Sequence, residues 1–360
     1  MADRVVNFSA GPSTLPLSVL ESAREELVDY QSSGMSLLEM SHRGGHYERV
    51  HTEALQLVRE VGQIPEEFDV LFVQGGATLQ FAMVPMNLLL SGLRAGYVLS
   101  GSWASKAFAD AQHAGDAYAA WDGRESGYTR MPREEELALE PDSRYLHVTS
   151  NETIDGIRLA EWPAVDVPLV ADMSSDFFSR PIPWERFDLV YAGTQKNLGP
   201  PGMAVVVVRR SLLDDAPQSC AYLRYATHAK ASSLYNTPPT FTVHLTGKVL
   251  NWIRSQGGLA AMERAAAHRA GVIYEAIDTS DGFYRCPAET GSRSHTNVVF
   301  HLPDERLEAD FLTRSAEAGL VNLKGHRSVG GCRASLYNAM PLEGAEALAQ
   351  LMATFREGRQ

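Results

Sequence analysis

Lys196 stands in the run Gly193-Thr194-Gln195-Lys196-Asn197-Leu198-Gly199-Pro200-Pro201-Gly202, between the apolar segment Asp188 to Ala192 and a stiff loop of glycine and proline. An ammonium placed there loses hydration, so its pKa falls and the free amine becomes a nucleophile toward a carbonyl. That is the chemistry of a lysine that forms a Schiff base with an aldehyde cofactor; the same motif also suits a surface lysine in a loop. The chain holds five lysines, at 106, 196, 230, 248 and 324. Lys106 and Lys248 fall in helical runs where a solvated face is the default, and of the five only Lys196 has buried strand-like runs on both sides.

Four other places carry side chains that could meet a ligand. Gly75-Gly76-Ala77-Thr78 opens a helix: glycine lets the backbone approach closely, and free N–H groups at a helix start bind phosphate, although most such pairs are only turns. Trp103 lies on the loop Ser100-Gly101-Ser102-Trp103 and could stack on a planar ring or simply pack in the core. Thr153 could hydrogen-bond a ligand or cap a turn. Asp172, ahead of Met173-Ser174-Ser175, could pair with a protonated ring nitrogen or serve as a turn aspartate.

Positioning these residues falls to an alternation of short β-rich and helical runs. Strands are expected at Asp69 to Val73, Ala95 to Leu99, Arg144 to Thr149, Leu169 to Asp172, Asp188 to Ala192 and Met203 to Val208, the last two reading as buried parallel strands. Helices are expected at Leu79 to Ser91, kinked at Pro85, and at Ser105 to Ala114. The pattern is α/β with a mainly parallel sheet, in which ligands bind beyond the carboxyl ends of strands. Each candidate lies at or just after such an end. A lysine for an aldehyde, an aspartate for a pyridinium, an aromatic for a ring face and a glycine-rich helix start for phosphate together describe pyridoxal phosphate (PLP).

Beyond the Val240s the pattern shifts to an Ala-rich helix at Leu259 to Ile277, a strand at His295 to Leu302, a helix near Glu305 to Ala318 and a closing helix from Glu343. The expected division is a large cofactor-binding α/β domain over 16–262 and a smaller α+β domain from 1–15 and 263–360. Three cysteines, Cys220, Cys286 and Cys332, without CxxC spacing, argue against disulfides or structural zinc. A net charge of −12, from 32 basic and 44 acidic residues, argues against nonspecific nucleic-acid binding and requires a local cationic pocket for any anionic substrate. No apolar run approaches the length of a membrane span, and no secretory leader is evident at Met1 to Ser9; the reading is a cytoplasmic protein.

Six motifs, spread nearly end to end, resemble the phosphoserine aminotransferase family of class-V, fold-type I PLP enzymes: Asn7-Phe8-Ser9-Ala10-Gly11-Pro12, Ser41-His42-Arg43-Gly44, Gly75-Gly76-Ala77-Thr78-Leu79-Gln80-Phe81, Gly193-Thr194-Gln195-Lys196-Asn197, Tyr235-Asn236-Thr237-Pro238-Pro239 and Lys324 through Ser335. The resemblance implies a large domain with a seven-stranded sheet. It also implies that Lys196 holds the cofactor covalently, Asp172 pairs with its ring nitrogen, Trp103 stacks on the ring and Thr153 bonds the ring hydroxyl. Ala77, Thr78 and Gln195 would hold the cofactor phosphate, with Asn236 and Thr237 reaching across from the neighbouring subunit of a homodimer. Some family members carry arginine where this chain has Thr78.

Ser9 and Arg333 match substrate-binding positions, Arg333 at the α-carboxylate. His326 and Arg327, with His42 and Arg43 of the partner subunit, match the group that faces the distal phosphate. The implied reaction is reversible transamination of 3-phosphohydroxypyruvate with L-glutamate, giving O-phospho-L-serine and 2-oxoglutarate in serine biosynthesis. In some bacteria the family also serves pyridoxine biosynthesis through 4-phosphohydroxy-L-threonine. The chemistry fits independently, because a substrate anionic at both ends needs two cationic poles and arginine's planar fork suits carboxylate and phosphate alike. Rival readings are alanine–glyoxylate transfer, cysteine desulfuration, which needs a mobile reactive cysteine near the site, and a non-catalytic PLP carrier.

Overall fold

In the computed structural model, which describes residues 4–214, 217 and 219–358, the strands are β1 (Val6–Asn7), β2 (Phe68–Gln74), β3 (Arg94–Leu99), β4 (Ala117–Asp122), β5 (Ser143–Thr149), β6 (Asn151–Glu152), β7 (Ile157–Arg158), β8 (Leu169–Asp172), β9 (Leu189–Gly193), β10 (Met203–Arg209), β11 (Asn297–Phe300), β12 (Leu320–Val321) and β13 (Cys332–Ser335). The helices are α1 (Leu17–Glu26), α2 (Gly45–Gly62), α3 (Gly76–Leu88), α4 (Ser102–Ala114), α5 (Tyr225–Lys230), α6 (Thr240–Ser255), α7 (Gly258–Asp278), α8 (Glu305–Glu317) and α9 (Leu342–Glu357).

A seven-stranded sheet runs in the order β2-β10-β9-β8-β5-β3-β4. Apart from the edge strand β4, its strands are largely buried on both faces, which is why they read as apolar runs rather than alternating ones. In β10, Val205 and Val207 belong to one core and Val206 and Val208 to the other, as a two-residue period demands. Each valine so buried contributes about 1.5–3 kcal/mol. Helices α3 and α4 supply side chains to the second core, and α2 and α6 to the first.

One strand runs against expectation. β10 pairs antiparallel with both β9 and β2, whereas the other neighbours are parallel. The loop between β9 and β10 is too short for a crossover, which takes a dozen residues or more, so the chain can only turn back on itself. β4, an alanine-rich strand at the sheet edge with Ala119 and Asp122 exposed, lies outside the expected strands although Ala117 to Trp121 is an apolar run. α3 begins at the glycine pair itself and carries Pro85 in its final turn, where the ring removes one N–H donor to the Phe81 carbonyl while the Pro85 carbonyl still accepts the N–H of Leu89. α4 begins at Ser102, so Trp103 sits in the first turn of a helix rather than on a loop.

A third core gathers Phe8 with residues of α7, β11, α8, β13 and α9. β1 joins it by pairing parallel with β12, and β11 pairs antiparallel with β13. The N-terminal residues thereby pack with the C-terminal ones, while the segment from Ala10 to Ser13 crosses to the strand-end loops of the large sheet.

Candidate active site

β8 and β9 lie side by side, and the residues that follow them are tied together. The Asp172 carboxylate accepts the backbone N–H of Ser174 (2.8 Å), and the Ser174 hydroxyl accepts the N–H of Gly193 (3.1 Å). The end of β8 is thus fixed against the end of β9, three residues before Lys196. From the other side, Ser13 donates from its backbone to the Gln195 carbonyl (3.0 Å) and from its hydroxyl to that of Lys196. The Lys196 ammonium donates to the Thr153 hydroxyl (2.9 Å) and lies 5.7 Å from the centre of the Trp103 ring.

Part of the Lys196 side chain faces a cavity, but its amine is closely surrounded. Burial drives its pKa down to about 8, against the opposing pull of Asp172 and Glu152 and aided by Arg333. Burial raises Asp172 above the usual carboxylate range, with Ser174 and Lys196 working the other way. Arg333, on β13, bonds the Thr153 carbonyl at 3.5 Å, and burial lowers its pKa. His326 is also lowered, first by desolvation and then by the cations Arg333, Arg327 and Lys106.

These residues surround a cavity of about 530 Å³ lined by Gly75, Gly76, Ala77, Thr78, Trp103, Thr153, Asp172, Gln195, Lys196, His326 and Arg333, among others. Gly75 and Gly76 have φ of 93° and 63°, a left-handed conformation that glycine adopts freely. They open α3 with no side-chain cap and no acid in its first turn, leaving N–H groups to face an anion.

The donor set fits PLP. The Thr149 hydroxyl, which lines the cavity, and the Trp103 indole N–H are buried with no partner inside the chain. An ionised Asp172 so deeply placed calls for a cation beyond the shared Lys196, and a protonated ring nitrogen is one. Ala77, Thr78 and Gln195 stand where a phosphate would meet the start of α3. Among the described residues no cluster of His, Cys, Asp and Glu is placed to hold a metal.

The class-V aminotransferase family model matches residues 5–348. The chain belongs to this family. It is 50% identical to the phosphoserine aminotransferase of Lysinibacillus sphaericus over the whole of both chains. The structure of phosphoserine aminotransferase from Bacillus circulans subsp. alkalophilus superposes with a TM-score of 0.97 at 50% identity, covering 99% of each chain. The PLP-bound enzyme of the same name from Trichomonas vaginalis gives 0.93 at 37% identity, covering 97% of this chain and 100% of that one. The fold is therefore that of the fold-type I aminotransferases.

Not every residue named from sequence lines this cavity. Ser9 accepts a hydrogen bond from the Gly11 N–H (3.4 Å), and its neighbours Ala10 and Gly11 form the wall. Arg327 acts on His326 through its charge but stands outside the lining. Asn236 and Thr237 lie near the end of β2, where Gln74 donates to the Thr237 carbonyl (2.7 Å). His42 and Arg43 occupy the turn before α2, also outside the lining.

Conversely, Thr149, Asn151, Ser174 and Ser175 line the cavity without having been singled out from sequence as ligand contacts. The Ser-Ser pair after Asp172 was the only signal. Cys332 is fully buried and its thiol pKa is pushed far up by desolvation, so it packs rather than reacts.

Proposed function

We propose that the chain is a PLP-dependent phosphoserine aminotransferase, exchanging an amino group between L-glutamate and 3-phosphohydroxypyruvate to give O-phospho-L-serine and 2-oxoglutarate. The observation that carries this reading is the convergence of Lys196, Asp172, Thr153 and Trp103 on one cavity whose rim holds Arg333 and His326. Bound PLP supplies an aldehyde that takes up the amino group and a ring that withdraws electrons from the reacting carbon. Lys196 Nζ, its pKa lowered to about 8 by burial, takes the proton from Cα of the amino-acid substrate and returns one to Cα of the keto acid in the second half-reaction. Asp172 holds a proton at the ring nitrogen. Arg333 grips the α-carboxylate and so turns the Cα–H bond toward Lys196.

Arg327 supplies positive charge and His326 a neutral ring N–H donor for the distal phosphate, completed by His42 and Arg43 of a second subunit, with Asn236 and Thr237 reaching the cofactor phosphate across the same homodimer interface. Supporting this, Leu234, next to Tyr235, packs on the cluster of Tyr30, Leu37, Met40, Tyr47 and Val50, which brings the two segments close together. The apolar Met35, Leu38 and Tyr235 in these segments are exposed. The large domain of 16–262 would hold the cofactor, and the small domain of 1–15 and 263–360 would bring Arg333. A cytoplasmic setting agrees with the absence, among the described residues, of any helix long and apolar enough to cross a membrane.

Lys196→Ala tests the assignment. It is expected to abolish turnover and borohydride-trappable cofactor while leaving a folded protein; retained trapping would overturn it. Half-reaction spectra with glutamate, phosphoserine and alanine test the substrate: full conversion by alanine but none by phosphoserine would refute the reading.

A further inference from the structure

Glu152, buried, and Asp155, half-buried, are carboxylates beside the site that the proposed mechanism leaves without a role. Glu152 has no solvent exposure. Its carboxylate accepts the backbone N–H groups of Trp103 (3.1 Å) and Ala104 (2.9 Å) and the Ser100 hydroxyl (3.4 Å). Asp155 accepts the N–H of Ser102, and its second oxygen is buried without a partner. Between them they take the first N–H groups of α4, whose N-cap is Gly101 and which has no side-chain cap of its own. Burial and the mutual repulsion of the pair push Glu152 up to about 8, and burial brings Asp155 to about 6, in spite of these hydrogen bonds.

The two helix starts beneath the cavity are built in opposite ways. α3 opens bare, with its glycines and without acids, as an anion site requires. α4 opens filled by two carboxylates from another segment, so no ligand anion can sit there. What α4 presents instead is the Trp103 ring. The same turn that carries Glu152 and Asp155 carries Thr153 between them, and Thr153 holds Lys196. Gly101 shows how closely the parts are fitted: a Cβ there would lie 2.6 Å from Asp155 Oδ2 and 2.7 Å from Glu152 Cδ.

We propose that Glu152 and Asp155 are positioning residues for Trp103: by closing the start of α4 they fix the indole at a set spacing from Thr153 and Lys196, and so define the slot that receives the cofactor ring. The inference rests on the PLP reading. Above pH 8, where Glu152 is ionised, each of its oxygens accepts one of the two N–H groups, whereas a glutamine offers one acceptor oxygen and turns its own NH₂ to the other donor.

The test is a double-mutant cycle on the apoprotein, with PLP affinity measured by absorbance titration and folding checked by far-UV circular dichroism. Glu152→Gln and Trp103→Ala are each expected to weaken PLP binding tenfold or more. The double variant is expected to lose no more than about twofold beyond Trp103→Ala, because the clamp then has no ring to place. The near-UV dichroism that Trp103→Ala subtracts from the wild-type apoprotein should also change in Glu152→Gln. Wild-type affinity in Glu152→Gln would overturn the inference, as would losses that multiply in the double variant. Should Glu152→Gln fail to fold, Asp155→Asn enters the same cycle with the same criteria. Failure of the wild-type apoprotein to bind PLP would instead refute the cofactor reading.

Discussion

The Lys196 amine offers a prediction that can be checked before any cofactor is added. Desolvation lowers its pKa from an ordinary 10.5 to about 8. At pH 8 half of the Lys196 amines are then unprotonated, against roughly 0.4% for an unperturbed lysine near 10.4. The apoprotein should therefore show about a hundredfold excess of nucleophilic amine at this residue. The sign for folding follows: between pH 8 and 10.5 the unfolded chain binds a proton at Lys196 that the folded chain does not, so this group makes the folded state more stable as pH rises through that window. The assay is trace acetylation of the apoprotein from pH 6 to 11, with isotopic quantification of the Lys196 peptide. Half-maximal labelling near pH 8 is expected. Asp172→Asn removes an anion that favours the ammonium, and should move the midpoint lower still. A midpoint near 10, or an upward shift in Asp172→Asn, would refute the electrostatic reasoning.

Gly101→Ala places a methyl against Glu152 and Asp155 where no space exists, and should cost about 1–3 kcal/mol in urea denaturation; an unchanged midpoint would show that the carboxylates yield freely. Phe311 is fully buried and meets Phe300, Tyr284 and Phe355 edge-on. Phe311→Ala is expected to cost about 3–5 kcal/mol by the same measurement, and a loss under about 1 kcal/mol would count against this aromatic cluster as the centre of the C-terminal core.

Much of the site was legible because strand ends in an α/β sheet are ligand positions and the chain writes its strands as apolar runs. Lys196, Asp172, Thr153, Trp103 and the α3 glycines meet at one cavity, as expected from their places after β9, β8, β5, β3 and β2. The serines and Thr149 escaped notice because a small hydroxyl residue after a strand has the same spelling whether it caps a turn or faces a ligand. Glu152 escaped as well: nothing in Asn151-Glu152-Thr153 says that the carboxylate turns away from solvent toward α4.

The sequence by itself determined the α/β class, six strands of the sheet and the residues with the means for carbonyl chemistry, since burial on both faces and residue type are local properties. Tertiary structure decided the rest. Trp103's place on a helix start depends on carboxylates supplied by another segment. The pKa of Lys196 depends on how closely Asp172, Glu152, Arg333 and the surrounding chain enclose it. These are distances between residues far apart in the chain, and only packing sets them.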